Sequence, residues 1–275
     1  MSSVSFRSFA RTLAVSLALA AGCGGAATHP AQTTPVAAQN GTQVVIVGDF
    51  DPAADRLRQD PVADAFDAIQ RGEIAQARAA LEAVVAHVPA GWSPVTHSAR
   101  GVAVAAWSYH DLLPYTLMEA MQGAAGTPGK REVAWVGPSY SRAFQLLAYL
   151  AVEDRDLDRA AGLLDRGIAL EPRAELQTER ALVYGHQGQL DKALALYVQV
   201  SESAESDDAA KARAWRGRGS VLTDMGKLDD AEAAYRKSLE IEPDQKLALS
   251  ELEYIQKLRA GQVKANAADI VRGQN

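Results

Sequence analysis

The sequence predicts an all-α fold: an α-solenoid of antiparallel helix pairs, closed by a C-terminal capping helix and preceded by a flexible N-terminal tether. Three observations carry this expectation. A turn pattern recurs in the second half, where residues 155–160 read RDLDRA, 188–193 read GQLDKA and 226–231 read GKLDDA. It places Ala160, Ala193 and Ala231 at spacings of 33 and 38 residues, a period that marks helix–turn–helix units which must stack to cover their apolar faces. From Pro61 onward, apolar residues return with the helical period rather than in alternation. Aromatics are only 6% of a chain rich in alanine, which favours closely packed helices over a β-sandwich. With 275 residues, 48% of them hydrophobic, the chain can bury one or two ordinary cores. Its formal charge of −6 and the lack of a dense Lys/Arg cluster exclude a nucleic-acid partner.

The first 22 residues read as an export signal. Arg7 and Arg11 form a basic start, and the apolar run Thr12 to Ala21 follows; it is well short of the roughly 20 residues a membrane-spanning helix needs. The sole cysteine, Cys23, comes next, in Leu19-Ala20-Ala21-Gly22-Cys23. This resembles the lipobox of bacterial lipoproteins, which implies diacylation of the thiol and cleavage just before it. Ala21 and Gly22 match the small residues beside the cut; Ala20 departs from the usual leucine. An ordinary cleaved signal with an incidental cysteine is the competing reading. Gly24, where an aspartate would resemble an inner-membrane retention signal, directs the expectation to the outer membrane, facing the periplasm. A soluble periplasmic or secreted protein is the alternative. Residues 23–58 form the tether, rich in Gly, Ala, Thr, Pro and Gln up to Gln39, with a strand candidate at Val44–Val47.

Residues 59–137 read as a divergent helical region. Val62, Ala65, Phe66 and Ile69 share one face, and after Gly72 the residues Ala77, Leu81, Val84, Val85 and Val88 make a second stripe. Together they predict a helical hairpin over 61–89, whose GEIAQA at 72–77 resembles the later turns. Helix is expected again over Ser98–Gln122, kinked or split at Pro114, then a loop at Gly123–Gly129. Val133–Val136 is a second strand candidate, able to pair with the first.

Residues 138–245 carry the repeats. The last copy places Trp215, Gly219 and Leu222 on a first helix and Ala231, Tyr235 and Leu239 on a second, closed by Pro243. The first offers Phe144, Leu147, Ala148, Ala151, Ala160, Leu164, Ile168 and Pro172; the middle one offers Ala181, Tyr184, Ala193 and Tyr197, with about four extra residues in Ser201–Asp208. This series resembles the tetratricopeptide repeat (TPR) family over about residues 141–245, with Arg218 standing where a leucine is usual and the middle copy lacking its final proline. Gly188 and Gly226 suit the left-handed residue that ends a helix. Asp158, Asp191 and Asp229 suit the start of the next. Residues 246–275 supply the cap and tail, with Leu247, Leu252, Ile255 and Leu258 at helical spacing.

No catalytic set is legible. His29, His87, His97, His110 and His186 are scattered without metal-ligand spacing, so no cofactor or metal is expected. Gly217-Arg218-Gly219 lies inside a repeat helix rather than after a strand, and Tyr109-His110-Asp111 reads as a polar cluster with a hydrogen-bonding role. The TPR resemblance implies a protein-binding groove along the first helix of each repeat. Residue by residue, it would present Arg142, Gln145, Tyr149, Val152 and Glu153, then Glu175, Thr178, Leu182 and His186, then Arg213, Arg216, Ser220, Thr223 and Asp224. The adaptors that clamp a C-terminal carboxylate use Lys and Asn there; this chain has Gln145, Tyr149, Leu182 and Ser220, with Arg216 the one basic match, so a carboxylate clamp is not expected. The resulting expectation is a non-enzymatic, lipid-anchored periplasmic scaffold or adaptor that binds envelope proteins or peptides in assembly, secretion or pilus biogenesis. The alternatives are a cell-wall hydrolase or its accessory subunit with the working site in 42–137, and self-assembly through the repeat ends.

Overall fold

Three short runs of valine and isoleucine, far apart in sequence, set the core of the first half of the chain. The computed structural model describes residues 34–37, 43–51, 55–125 and 129–262; the signal segment, Cys23 and much of the expected tether lie outside them. The chain divides into two units, 1–143 and 144–275.

In the first unit, β1 (Thr34–Ala37), β2 (Gln43–Val47), β5 (Val95–Ser98), β6 (Gly101–Val104) and β7 (Lys130–Trp135) form one sheet in the order β1-β2-β7-β6-β5. The three central strands run parallel, with Ile46 opposite Val133 and Val102 opposite Val133 on the other side; the two outer strands are antiparallel to their neighbours. Val44, Val45 and Ile46 are all buried, the continuous apolar run expected of a strand covered on both faces. Val44, Ile46, Val102, Val104, Val133 and Trp135 join Phe50, Leu57 and Leu112 in one core. A small ribbon, β3 (Phe50–Asp51) with β4 (Arg56–Leu57), follows β2.

Gly101 fits β6 against β7 as no other residue would. Its φ is +146°, and an added Cβ would lie 1.9 Å from the Glu132 carbonyl oxygen.

The predicted hairpin is present as α1 (Pro61–Gln70) and α2 (Ile74–Val85). Asp60 caps α1, accepting from the Val62 amide at 2.9 Å with Pro61 in the first turn. Val62, Ala65, Ala68, Ile69, Ala77, Leu81 and Val85 are buried.

The helix expected from Ser98 is corrected: that stretch opens with β6 and a 3-10 turn at Tyr109–Leu112, and α3 (Leu113–Ala125) begins only at Leu113. Pro114 therefore sits in a first helical turn, where its missing N–H is harmless, instead of kinking a longer helix. Trp107 and Ser108 donate backbone N–H groups to Asp111 at 2.8 and 3.2 Å. Tyr109 donates its own to Asp55 at 2.7 Å. The two strand candidates do pair, as the parallel neighbours β2 and β7.

The boundary between the units falls within α4 (Tyr140–Glu153), whose first four residues belong to the first unit; α5 (Leu157–Leu170), α6 (Ala174–His186), α7 (Leu190–Glu202), α8 (Asp208–Asp224), α9 (Leu228–Ile241) and α10 (Lys246–Arg259) follow in the second. Ten α-helices among the described residues make the chain mostly helical, as predicted.

Each repeat turn closes the same way. The backbone N–H groups of Asp156, Gln189 and Lys227 reach back to the carbonyls of Ala151, Tyr184 and Leu222 at 2.8, 2.8 and 2.9 Å. The residue before each has positive φ: Arg155 +62°, Gly188 +74° and Gly226 +73°. In the first unit, Glu73 to Ala68 at 2.8 Å with Gly72 at +79° repeats this geometry. Asp158, Asp191 and Asp229 stand in the first turns of α5, α7 and α9 and act there through the helix dipole. The side-chain cap of α5 is Asp156, which accepts from the Arg159 amide.

Packing follows from residue size. A Cβ on Gly219 would sit 2.9 Å from the Tyr235 ring, and one on Gly217 2.3 Å from the Tyr197 ring. Both tyrosines are buried against these bare backbones. The capping helix α10 buries Ala248 and Ile255 on α9, and Arg259 reaches Asp229 and Glu232 at the start of α9.

Candidate protein-binding surface

Successive first helices, α6 and α8, pack side by side in the second unit, so their exposed residues form a shared face. An ion pair ties them: Arg213 on α8 lies 3.7 Å from Glu179 on α6. Glu175, at the start of α6, is held by Arg173 at 3.0 Å. Leu182, expected on the groove, is instead buried in the core; His186 is half-buried on α6, and Ser220, Thr223 and Asp224 are half-buried on α8. On α4, Gln145, Tyr149 and Val152 are half-buried and Glu153 is exposed. Burial, reinforced by Glu153, raises the Tyr149 phenol above its ordinary range.

Several side chains expected on this face are committed elsewhere. Arg142 belongs to the first unit, where its guanidinium stacks 5.4 Å from the Phe66 ring centre and 4.9 Å from that of Trp107. Arg216 donates to Ser238 and Glu242 on or just beyond α9, latching a helix pair together. Burial lowers its pKa, and Glu242 opposes that shift. Thr178 is buried and donates to the Glu175 carbonyl at 2.8 Å. Nothing local in the sequence reveals these partners, because Phe66, Trp107 and Glu242 arrive from other elements.

Two acidic residues were not anticipated. Glu179 completes the bridge to Arg213. Glu251, on α10, is partly buried, and that burial raises its carboxyl above the usual carboxylate range. Tyr235 is deeply buried; desolvation raises its phenol well above the usual range, and Glu251 adds to this while Thr223 and Ser220 hydrogen-bond to it.

The buried carboxylates of the first unit are also engaged. Glu119 pairs with Arg131 at 2.6 Å, and Asp60 caps α1. Among the described residues, no group of three or more His, Cys, Asp or Glu could hold a metal ion.

Residues 172–243, which hold α6 to α9, match the family model described as tetratricopeptide repeat. The solved structures that resemble the chain include the first TPR domain of human RPAP3, at 23% identity and TM-score 0.41, covering 46% of this chain and 97% of that one. Others are the Sgt2 TPR domain of Aspergillus fumigatus, at 20% identity and TM-score 0.39 over 46% and 83%, and a tetratricopeptide repeat protein from Parabacteroides merdae, at 15% identity and TM-score 0.44 over 73% and 59%. A search of the curated proteins found no match.

Proposed function

We propose that this protein is a lipid-anchored scaffold of the bacterial envelope, held at the periplasmic face of the outer membrane through Cys23 and binding protein partners with its repeats in assembly, secretion or pilus biogenesis. The observation that carries the binding half is the face shared by α6 and α8. It carries the Glu179–Arg213 pair across the two helices and the half-buried hydroxyls of Ser220 and Thr223, with Leu182, 9% exposed, three residues along α6 from Glu179, within the stretch that matches the repeat family. Mixed apolar and charged lining of this kind suits an extended or helical peptide segment. The anchor half is supported by the lipobox-like residues before Cys23 and by the absence of a second cysteine.

The test is an affinity capture from detergent-solubilised envelope, with wild type, a Cys23→Ala form and a double variant Glu179→Ala, Arg213→Glu as baits. The expected result is a set of envelope proteins held by wild type and released by the double variant. Retention of every partner by the double variant overturns the shared-face reading. The mass of the mature N-terminus tests the anchor separately, and an unmodified Cys23 would overturn it.

A further inference from the structure

Six large apolar side chains are exposed among the described residues: Ile74, Leu113, Leu117, Met121, Val136 and Leu249. Three of them, Leu113, Leu117 and Met121, recur at every fourth position of α3 and are 48, 64 and 66% exposed. They form one stripe about 12 Å long on the helix surface. The buried face of α3 carries Leu112 just before it, then Thr116 and Glu119; Glu119 is only 1% exposed and paired with Arg131 on β7. From Leu112 to Gly129, Glu119 is the one charged residue. A surface helix ordinarily turns its charges to water and its apolar residues to the core. Here the charge is inside, and leucine and methionine are outside.

We propose that this stripe rests on the surface of a lipid bilayer. The proposal depends on the reading of Cys23 as the anchored residue. Ten residues lie between Cys23 and Thr34, the start of β1, and at about 3.3–3.6 Å per residue they reach at most roughly 35 Å. β1 pairs with β2, and α3 packs on β2, β7 and β6, so the anchored segment enters the very sheet that α3 covers. The anchor thus holds the stripe near the membrane at an effective concentration of order millimolar, and a patch too small to bind a free protein becomes sufficient. Entry of the stripe into the headgroup boundary desolvates no charge of α3, since among the described residues its exposed side chains beside the stripe are Pro114 and Gln122. A protein partner would call for a polar rim and hydrogen-bonding groups around the apolar centre; beside the stripe on α3, Gln122 is the exposed polar side chain among the described residues. The stripe is neutral, so a zwitterionic membrane is enough and anionic lipid adds nothing.

The mature chain, starting at Cys23, is coupled through its single thiol to a maleimide-headgroup lipid in phosphatidylcholine vesicles, recreating the anchor whatever cells do to Cys23. The oxidation of Met121 by peroxide is followed by peptide mass, with Met225 as internal reference and an uncoupled Cys23→Ser protein in the same vesicle suspension for comparison. The expected result is Met121 oxidation at least about five-fold slower on the coupled vesicles, Met225 unchanged, and the protection lost in Leu117→Glu. Equal Met121 rates with and without coupling overturn the proposal. Protection that survives Leu117→Glu does so as well. Protection that rises with protein density on the vesicle overturns it in favour of a second copy as the occupant. The mass of the N-terminus from cells decides the acylation reading independently of these rates.

Discussion

Arg155 occupies the turn position that glycine fills in three equivalent places, and that difference can be measured. At φ +62°, a residue bearing a Cβ meets a left-handed penalty of about 1–2 kcal/mol. Replacement by glycine removes the penalty and returns about 0.4–1 kcal/mol through the greater freedom of the unfolded chain. Arg155→Gly is thus expected to stabilise the protein by roughly 0.5–1 kcal/mol. Gly226→Ala runs the comparison backwards: φ is +73°, and nothing lies within 4 Å of the added Cβ, so conformation alone sets a similar loss. Arg155 is exposed, and any ion pair it makes is worth at most about 1 kcal/mol. Arg155→Ala isolates that part, because it keeps the Cβ and removes the charge. The assay is denaturant unfolding followed by far-UV circular dichroism, checked by thermal midpoints, where 1 kcal/mol corresponds to about 2–4 °C for a chain of this size class. If Arg155→Gly is no more stable than Arg155→Ala, or Gly226→Ala is neutral, the shared-turn argument fails.

Gly101→Ala drives a Cβ to 1.9 Å from a β7 carbonyl oxygen; the expected loss exceeds about 3 kcal/mol, visible as early unfolding of the first unit by amide exchange. Arg131→Ala leaves Glu119 buried without its cation, for an expected loss of about 3–5 kcal/mol in the same denaturant assay. Glu251 gives a pH signature. Its carboxyl is raised by burial, so its contribution is intact when protonated, below the unfolded value, and is lost as pH rises through the raised folded value. Glu251→Gln should therefore match wild type below the unfolded carboxylate value and gain in melting temperature over it as pH rises through the raised folded value, above which the difference levels off; an offset that does not change with pH would refute the assignment.

Much of the helical half was legible because its information is periodic. The turns at 155–160, 188–193 and 226–231 each state their own geometry locally, and Tyr197 and Tyr235 stand where the facing backbone is bare. The sheet was legible only in part. Val44–Val47 and Val133–Val136 announce themselves by β-branched content, whereas β5 and β6 are four residues each; among the described residues β5 pairs only with β6, and β6 owes its place in the sheet to β7, some thirty residues later. The binding surface was least legible. A long cationic side chain such as Arg142 or Arg216 chooses among aromatic rings and carboxylates that tertiary structure delivers, and spacing along one helix does not show which it finds.

The sheet's strand order has a kinetic consequence. β2 and β7 pair in register from Gln43 with Lys130 to Val47 with Ala134, so almost the whole first unit must be present before its central ladder can close. The repeats that follow pair each helix with its immediate neighbour. Long-range parallel pairing is slow, while local helical hairpins form quickly. The half of the protein made last is therefore expected to fold first. Until β7 arrives, the Val44–Ile46 strand has only β1 to pair with and keeps one edge open to non-native pairing.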